Sequence, residues 1–131
     1  MNGHPNAELA RRLFDRFGAG DLDEAVATMT EDIVWHQPGT NAFSGRFDGR
    51  DAVVDRLRRM RDAGLSTRFE VHDIVANDEH IVALVHLHLG VPDGRRYDQP
   101  QVDVMHLRDG LIAELWVMNQ DQAVLDELIG R

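Results

Sequence analysis

The hydrophobic pattern changes period once, near residue 66, and that switch restricts the chain to a small set of architectures. Before it, apolar residues recur at helical spacing. Ala10, Leu13, Phe14 and Phe17 fall at i, i+3, i+4 and i+7. Asn6 is placed to cap this helix, and Gly18 and Gly20 to end it. Asp21, with Glu24 three residues on, makes a capping-box-like start for a short helix bearing Leu22, Ala25, Val26 and Met29. "DIVWHQPG", residues 32 to 39, runs as a strand until Pro38-Gly39 breaks it. A third helix follows, with a narrow stripe of Val53, Leu57 and Met60 and with Gly64 suited to its C′ position. The arginines of "RLRRMRD" read as its solvated face.

After residue 66 the period is two. "STRFEVHDIVA", "HIVALVHLHLGV", "PQVDVMHLR" and "LIAELWVMN" read as four strands joined by "NDE", "PDGRR" and "RDG". Asp-Gly between apolar runs is a strong hairpin signal and occurs in two of these joints. Pro100 marks a strand start, a bulge or an edge. Helices first and a meander second predict an α+β fold: a curved antiparallel sheet, made of a four-strand C-terminal meander plus short N-terminal strands, packed on three N-terminal helices. With 131 residues and 43% hydrophobic content, residues 1–131 are expected to form one domain around one core.

The strand near residue 80 has two unlike faces. Ile81, Ala83, Val85, Leu87 and Leu89 are all apolar, whereas Val82 and Leu84 share the other face with His80, His86 and His88. A sheet with one wet face would show charged residues there, so both faces are expected to be covered. Three helices cover only one. The other is expected to meet a second copy in a homodimer through the outer sheet face.

Composition removes several classes of partner. The net charge of −9 argues against nucleic acid, which calls for a basic surface. No run approaches the roughly 18 apolar residues of a membrane-spanning helix. The N-terminus lacks the basic-then-apolar layout of a signal peptide. There is no cysteine, hence no disulfide and no thiolate metal site. A cytoplasmic location is expected.

The segments "AGDLDEAVATMTEDIVWHQPG", "FSGRFDGRDAV" and "PQVDVMHLRDGLIAELWVM", with the spacing between them, cover nearly the whole chain. They resemble the SnoaL-like (polyketide-cyclase-like) and ketosteroid-isomerase-like proteins of the nuclear-transport-factor-like superfamily. The resemblance implies a cone-shaped sheet around a pocket. In ketosteroid isomerases the general base is an aspartate at a strand tip before the Pro/Gly turn, a place held here by His36. The oxyanion-hole aspartate, two residues before a strand methionine, matches Asp103. The helix tyrosine of that family falls at Leu13, which has no hydroxyl.

The resemblance also turns His86 and His88 toward the cone interior and Asn119 inward, with Trp116 as the alternative after a one-residue slip. Trp35, alternating with His36, is then expected to face away. The expected pocket has Leu13, Phe17, Leu57, Leu84 and Met105 as apolar wall. His36, His86, His88, Asp103 and Asn119 are its polar anchors, and the 37–47 loop closes its mouth. Such a site suits a small hydrophobic molecule with a carbonyl or hydroxyl group.

The expected chemistry is cofactor-free acid–base catalysis of isomerase, cyclase or hydratase type. His36 would take a proton next to a carbonyl. Asp103 would stabilise the enolate or hold the imidazole. No metal is expected, because a lone His-x-His pair falls short of a ligand set. The alternative is a non-catalytic, dimeric small-ligand-binding protein of the same fold.

Overall fold

The computed structural model describes residues 3–131. Its elements run α1 (Pro5–Gly18), α2 (Leu22–Val26), β1 (Met29–Gln37), β2 (Gly45–Asp48), α3 (Arg50–Asp62), β3 (Ser66–Ala76), β4 (His80–Gly90), β5 (Arg96–Arg108), β6 (Leu111–Asn119) and α4 (Gln122–Ile129). The strands form one six-stranded sheet in the order β2-β1-β6-β5-β4-β3. This is the expected α+β class, with two departures. β1 pairs with β6 in parallel, so the sheet is mixed at that seam. A fourth helix, α4, follows the last strand.

Local chemistry accounts for the element ends. The cap of α1 is His4 rather than Asn6: Nδ1 of His4 accepts from the Asn6 amide at 3.1 Å. Pro5 supplies the reason, since its fixed φ and missing N–H suit the first helical position and place the cap two residues earlier, at His4. Asp21 caps α2 as expected, accepting from the Glu24 amide at 3.2 Å. Gly64, at φ +82°, ends α3 in a Schellman motif, with Leu65 N donating to Met60 O and Gly64 N to Arg61 O. Asp109 and Gly110 both take positive φ in the β5–β6 hairpin, as a type I′ turn requires.

The meander sets the curvature. β3 changes register against β4 between Val71 and Asp73, leaving His72 as the extra residue of a bulge. Pro100 falls where the β5–β6 ladder stops, because pairing to β6 begins at Gln101. Residues 96–100 therefore have β4 on one side only, the edge position that proline tolerates.

The concave face of the sheet carries Ile33, Trp35, Ile81, Ala83, Val85, Met105, Leu107, Ile112 and Leu115. They form the main core with Ala7, Ala10, Leu13 and Phe14 of α1 and Val53 and Val54 of α3. A second cluster of Leu87, Leu89, Tyr97 and Leu125 sits at the wide end of the cone under α4. Between the two clusters lies a cavity.

Candidate functional site

The cavity measures about 190 Å³. Phe17 from α1, Leu22 from α2, Trp35 from β1, Leu57 and Met60 from α3, Phe69 from β3, and Leu125 and Ile129 from α4 form its apolar walls. Phe17 stands edge-on to Trp35, with ring centroids 6.2 Å apart, and lies 6.3 Å from Phe69. Its polar lining is Gln37, Asn41, Arg56, Thr67, Gln101 and Asp103, with Arg61 on α3.

Asp103 projects from the middle of β5 and is 5% exposed. Nε2 of Gln101, two residues back on the same face, donates to Asp103 Oδ1 at 2.8 Å. Burial is the largest influence on the carboxyl and pushes it up to about 7, against the opposing pull of the Gln101 hydrogen bond and the Arg56 charge. Asp103 is therefore poised to hold and release a proton near neutrality.

Arg56 is 4% exposed. Nε donates to the Phe43 carbonyl at 2.9 Å, and the guanidinium lies 5.5 Å from the ring centroids of both Trp35 and Phe47. Burial, and then the nearby Arg59 charge, bring its pKa down to about 10, so it remains a cation at neutral pH.

His36 is not part of this cavity. Trp35 pairs with Leu115 and His36 with Trp116, and Leu115 is a core residue. Trp35 therefore faces the cavity, and His36 lies on the convex outer face. There it stacks on Trp116 with centroids 5.4 Å apart, and Nε2 lies 2.5 Å from Glu114 Oε2. The expected orientation is thus reversed. Ile33 and Trp35 together bury more apolar surface than Val34 and His36, and strand alternation lets only one pair inside. The Trp35 indole N–H keeps a partner in Gln37 Oε1 at 2.9 Å.

The same alternation corrects three further expectations. His86, His88 and Leu84 lie on the outer face, because the wholly apolar face of β4 takes the core side. His88 is held between Asp98 at 2.6 Å and Glu70 at 3.2 Å. Among the described residues, no group of three or more His, Asp or Glu side chains is arranged to hold a metal ion.

Leu13 and Met105 are fully buried in the core but do not line the cavity. Asn119 shares the inward side with Leu115 and Val117, yet its amide donates to Gln122 Oε1 at 2.9 Å and stays outside the cavity lining. Of the expected site, the structure brings Asp103, Phe17 and Leu57 together around one cavity and leaves the others elsewhere. Arg56, Gln101 and Trp35 complete it. Arg56 could be found in the sequence, since it lies three residues after Val53 and four before Met60, on the apolar stripe itself.

Two pieces flank the mouth of the cavity, which stays partly open. Part of the expected loop, residues 38–44, meets α4, and Asp126 of α4 accepts from the Thr40 amide at 3.0 Å, from Asn41 Nδ2 at 2.8 Å and from Gln122 Nε2 at 2.8 Å.

A family model described as the SnoaL-like domain matches residues 10–115. An uncharacterised protein of Mycobacterium tuberculosis is 28% identical over 127 residues, covering 96% of this chain and 97% of that protein. A Xanthomonas campestris structure with a cystatin-like fold superposes over 100% of both chains, with TM-score 0.87 and 25% identity. A candidate polyketide cyclase from the same species superposes over 96% of this chain and 97% of that one, with TM-score 0.74 and 26% identity.

Proposed function

We propose, since the chain belongs to the SnoaL-like domain family, that it is a small-molecule enzyme performing cofactor-free acid–base chemistry in the cone cavity. Asp103 is the group that moves the proton. The observation that supports this is a single carboxyl, buried and held by Gln101, at the wall of an otherwise mostly apolar cavity. A carboxyl titrating near 7 is matched to proton transfer at neutral pH.

In its ionised form Asp103 takes a proton from the carbon next to a ligand carbonyl, and the electron pair of that C–H bond moves into an enolate. The protonated carboxyl then returns the proton. Delivery to a different carbon isomerises the ligand. If the enolate carbon first attacks a second carbonyl of the same molecule, the new alkoxide takes the proton and a ring closes. The aromatic walls hold the ligand's apolar body and keep bulk water from the carboxyl.

One observation favours a second reading, non-catalytic ligand binding. His36, expected to act opposite Asp103, lies across the sheet from the cavity, so a single carboxyl remains.

The deciding measurement is deuterium uptake from D2O at carbons next to the carbonyl, followed by NMR, for cyclic ketones and ring keto acids of one or two rings. Wild-type protein is expected to exceed the buffer rate, and Asp103→Asn to lose at least about tenfold, equivalent to about 1.4 kcal/mol. Uptake at the buffer rate for every compound leaves only the binding reading.

A further inference from the structure

Arg56 is a cation placed where the core has few partners for it. One N–H is committed to the Phe43 carbonyl, and the Trp35 and Phe47 rings fix the plane of the guanidinium. Among the described residues, no side chain or carbonyl accepts from its two terminal nitrogens, and it makes no ion pair with a carboxylate. Arg56 nonetheless lines the cavity while 4% exposed. Burying a charge with part of its hydrogen-bonding capacity unused is costly unless something else meets it.

We propose that Arg56 is a carboxylate-binding residue, and that the molecule this cavity takes is a small ring compound carrying one carboxylate. The inference rests on the cavity being the ligand site of the proposed function, and it names the substrate class. Three features agree on it. The planar fork of a guanidinium matches the two oxygens of a carboxylate and holds them in one orientation.

The charge balance also fits. Among the described residues, the titratable groups lining the cavity are Arg56 and Arg61 from α3 and Asp103 from β5. Arg59, the other charge acting on Arg56, has its own partner in Asp55 at 3.0 Å. With Asp103 protonated the lining carries two positive charges, and one anionic group offsets the one on Arg56. Size is the third feature. An apolar cavity of about 150 Å³ accepts benzene, so about 190 Å³ between Phe17, Trp35 and Phe69 suits one ring with short substituents.

Asp103 adds a signature that a merely structural arginine would not show. As Asp103 ionises, its negative charge competes with a bound carboxylate for the Arg56 field. Carboxylate binding should therefore weaken between about pH 6 and about pH 8, on either side of the Asp103 titration near 7.

The test is isothermal calorimetry of benzoate, cyclohexanecarboxylate, benzamide and 1,3-cyclohexanedione with wild type, Arg56→Met, Arg56→Lys and Asp103→Asn at both pH values. Wild type is expected to bind benzoate at least about tenfold tighter than benzamide at the lower pH. Arg56→Met should lose that preference, and Arg56→Lys, which keeps the charge without the fork, should retain part of it. Asp103→Asn should bind benzoate equally at both pH values. Equal binding of benzoate and benzamide by wild type overturns the proposal, as does a preference that survives in Arg56→Met. Tight binding of the dione without benzoate also overturns it, assigning Arg56 to an enolate instead.

If Arg56→Met does not fold, the wild-type preference and the Arg56→Lys comparison decide. Failure here differs from failure of the proposed function. A protein that binds benzoate but exchanges no deuterium keeps the carboxylate site and loses catalysis. One that exchanges neutral ketones and ignores benzoate does the reverse.

Discussion

At the scale of single residues, Asp103 sets burial against charge. Its folded pKa of about 7 lies above the ordinary 3.8, chiefly because the carboxylate is desolvated. As pH rises from about 4, the unfolded chain gives up this proton first, while the folded chain retains it until about 7. The unfolded state binds fewer protons across that window, so stability falls as pH rises through it and is level above it. At about 1.4 kcal/mol per tenfold change in proton affinity, the interval from 3.8 to about 7 sets a ceiling of about 4 kcal/mol. The carboxylates with depressed pKa, Asp32, Asp93, Asp98 and Asp126, act with the opposite sign. Their stabilisation is lost only below about pH 4, outside this window. Calorimetric melting of the wild type is therefore expected to drop between about pH 5 and about pH 8. Asp103→Asn should drop less than the wild type, the histidine–carboxylate pairs of the outer face being common to both, and should melt above it at the higher pH. A level wild-type profile would mean that Asp103 titrates like an ordinary surface carboxyl.

At the scale of elements, what the sequence revealed and what it concealed both follow from periodicity. The spans of β3 and β6, the curved meander and the α2 cap were legible because turn chemistry and alternation fix them locally. Which face of β1 and β4 turns inward was equally legible from apolar content: Ile33 with Trp35, and Ile81 through Leu89, are the greasier sets. Carrying over a family position to His36 ran against that signal and missed by one residue, and one residue on a strand exchanges the two faces. The parallel β1–β6 pairing was not legible, because no local turn encodes contact between distant strands. Helix α4 was not anticipated, although Asp121 and the spacing of Val124, Leu125, Leu128 and Ile129 beyond the last strand of the expected meander carry its signal.

That helix carries its own prediction. Asp126 receives Thr40, Asn41 and Gln122 together, and Gly39, at φ +93°, lets the loop approach: a Cβ there would lie 2.3 Å from Asp126 Oδ1. Asp126→Ala frees four donors on these three residues at once, the Thr40 hydroxyl included. Hydrogen bonds to a charged group contribute about 1.5–3 kcal/mol each at most, so α4, the Thr40 amide and the Ala42 amide, which donates to the Gly130 carbonyl after α4 at 2.8 Å, should exchange hydrogen at least about tenfold faster. Amides of β4 and β5 should be unaffected. Unchanged protection of α4 would show that the packing of Leu125 and Ile129 alone holds this helix beside the mouth.

At the scale of the whole molecule, the two faces of the sheet have separate tasks. The concave face holds the core and the cavity. The convex face carries Val82, Leu84, Val102, Val104 and Trp116 across its middle strands, with Val75 at 51% and Met118 at 48% exposure beside them. Histidines 36, 80, 86, 88 and 106 flank this band, and two pairs are in ring contact, His80 with His106 at 5.1 Å and His86 with His88 at 4.7 Å. A contiguous apolar band rimmed by polar groups is the ordinary composition of an interface core and its rim. We propose that it is self-complementary about a two-fold axis and joins two copies in a homodimer. Sedimentation at micromolar concentration should then give about twice the 14.8 kDa chain mass. Trp116→Glu places a charge at the centre of the band, where desolvating it without a partner is costly, and should yield monomer. Because Trp116 points away from the cavity, that monomer should still bind cavity ligands within a few fold of the dimer. A wild type that sediments as a monomer would leave the convex band without a second copy to cover it. A Trp116→Glu monomer that loses ligand binding altogether would mean that the outer face holds the cone in shape, and the two faces would no longer be separable.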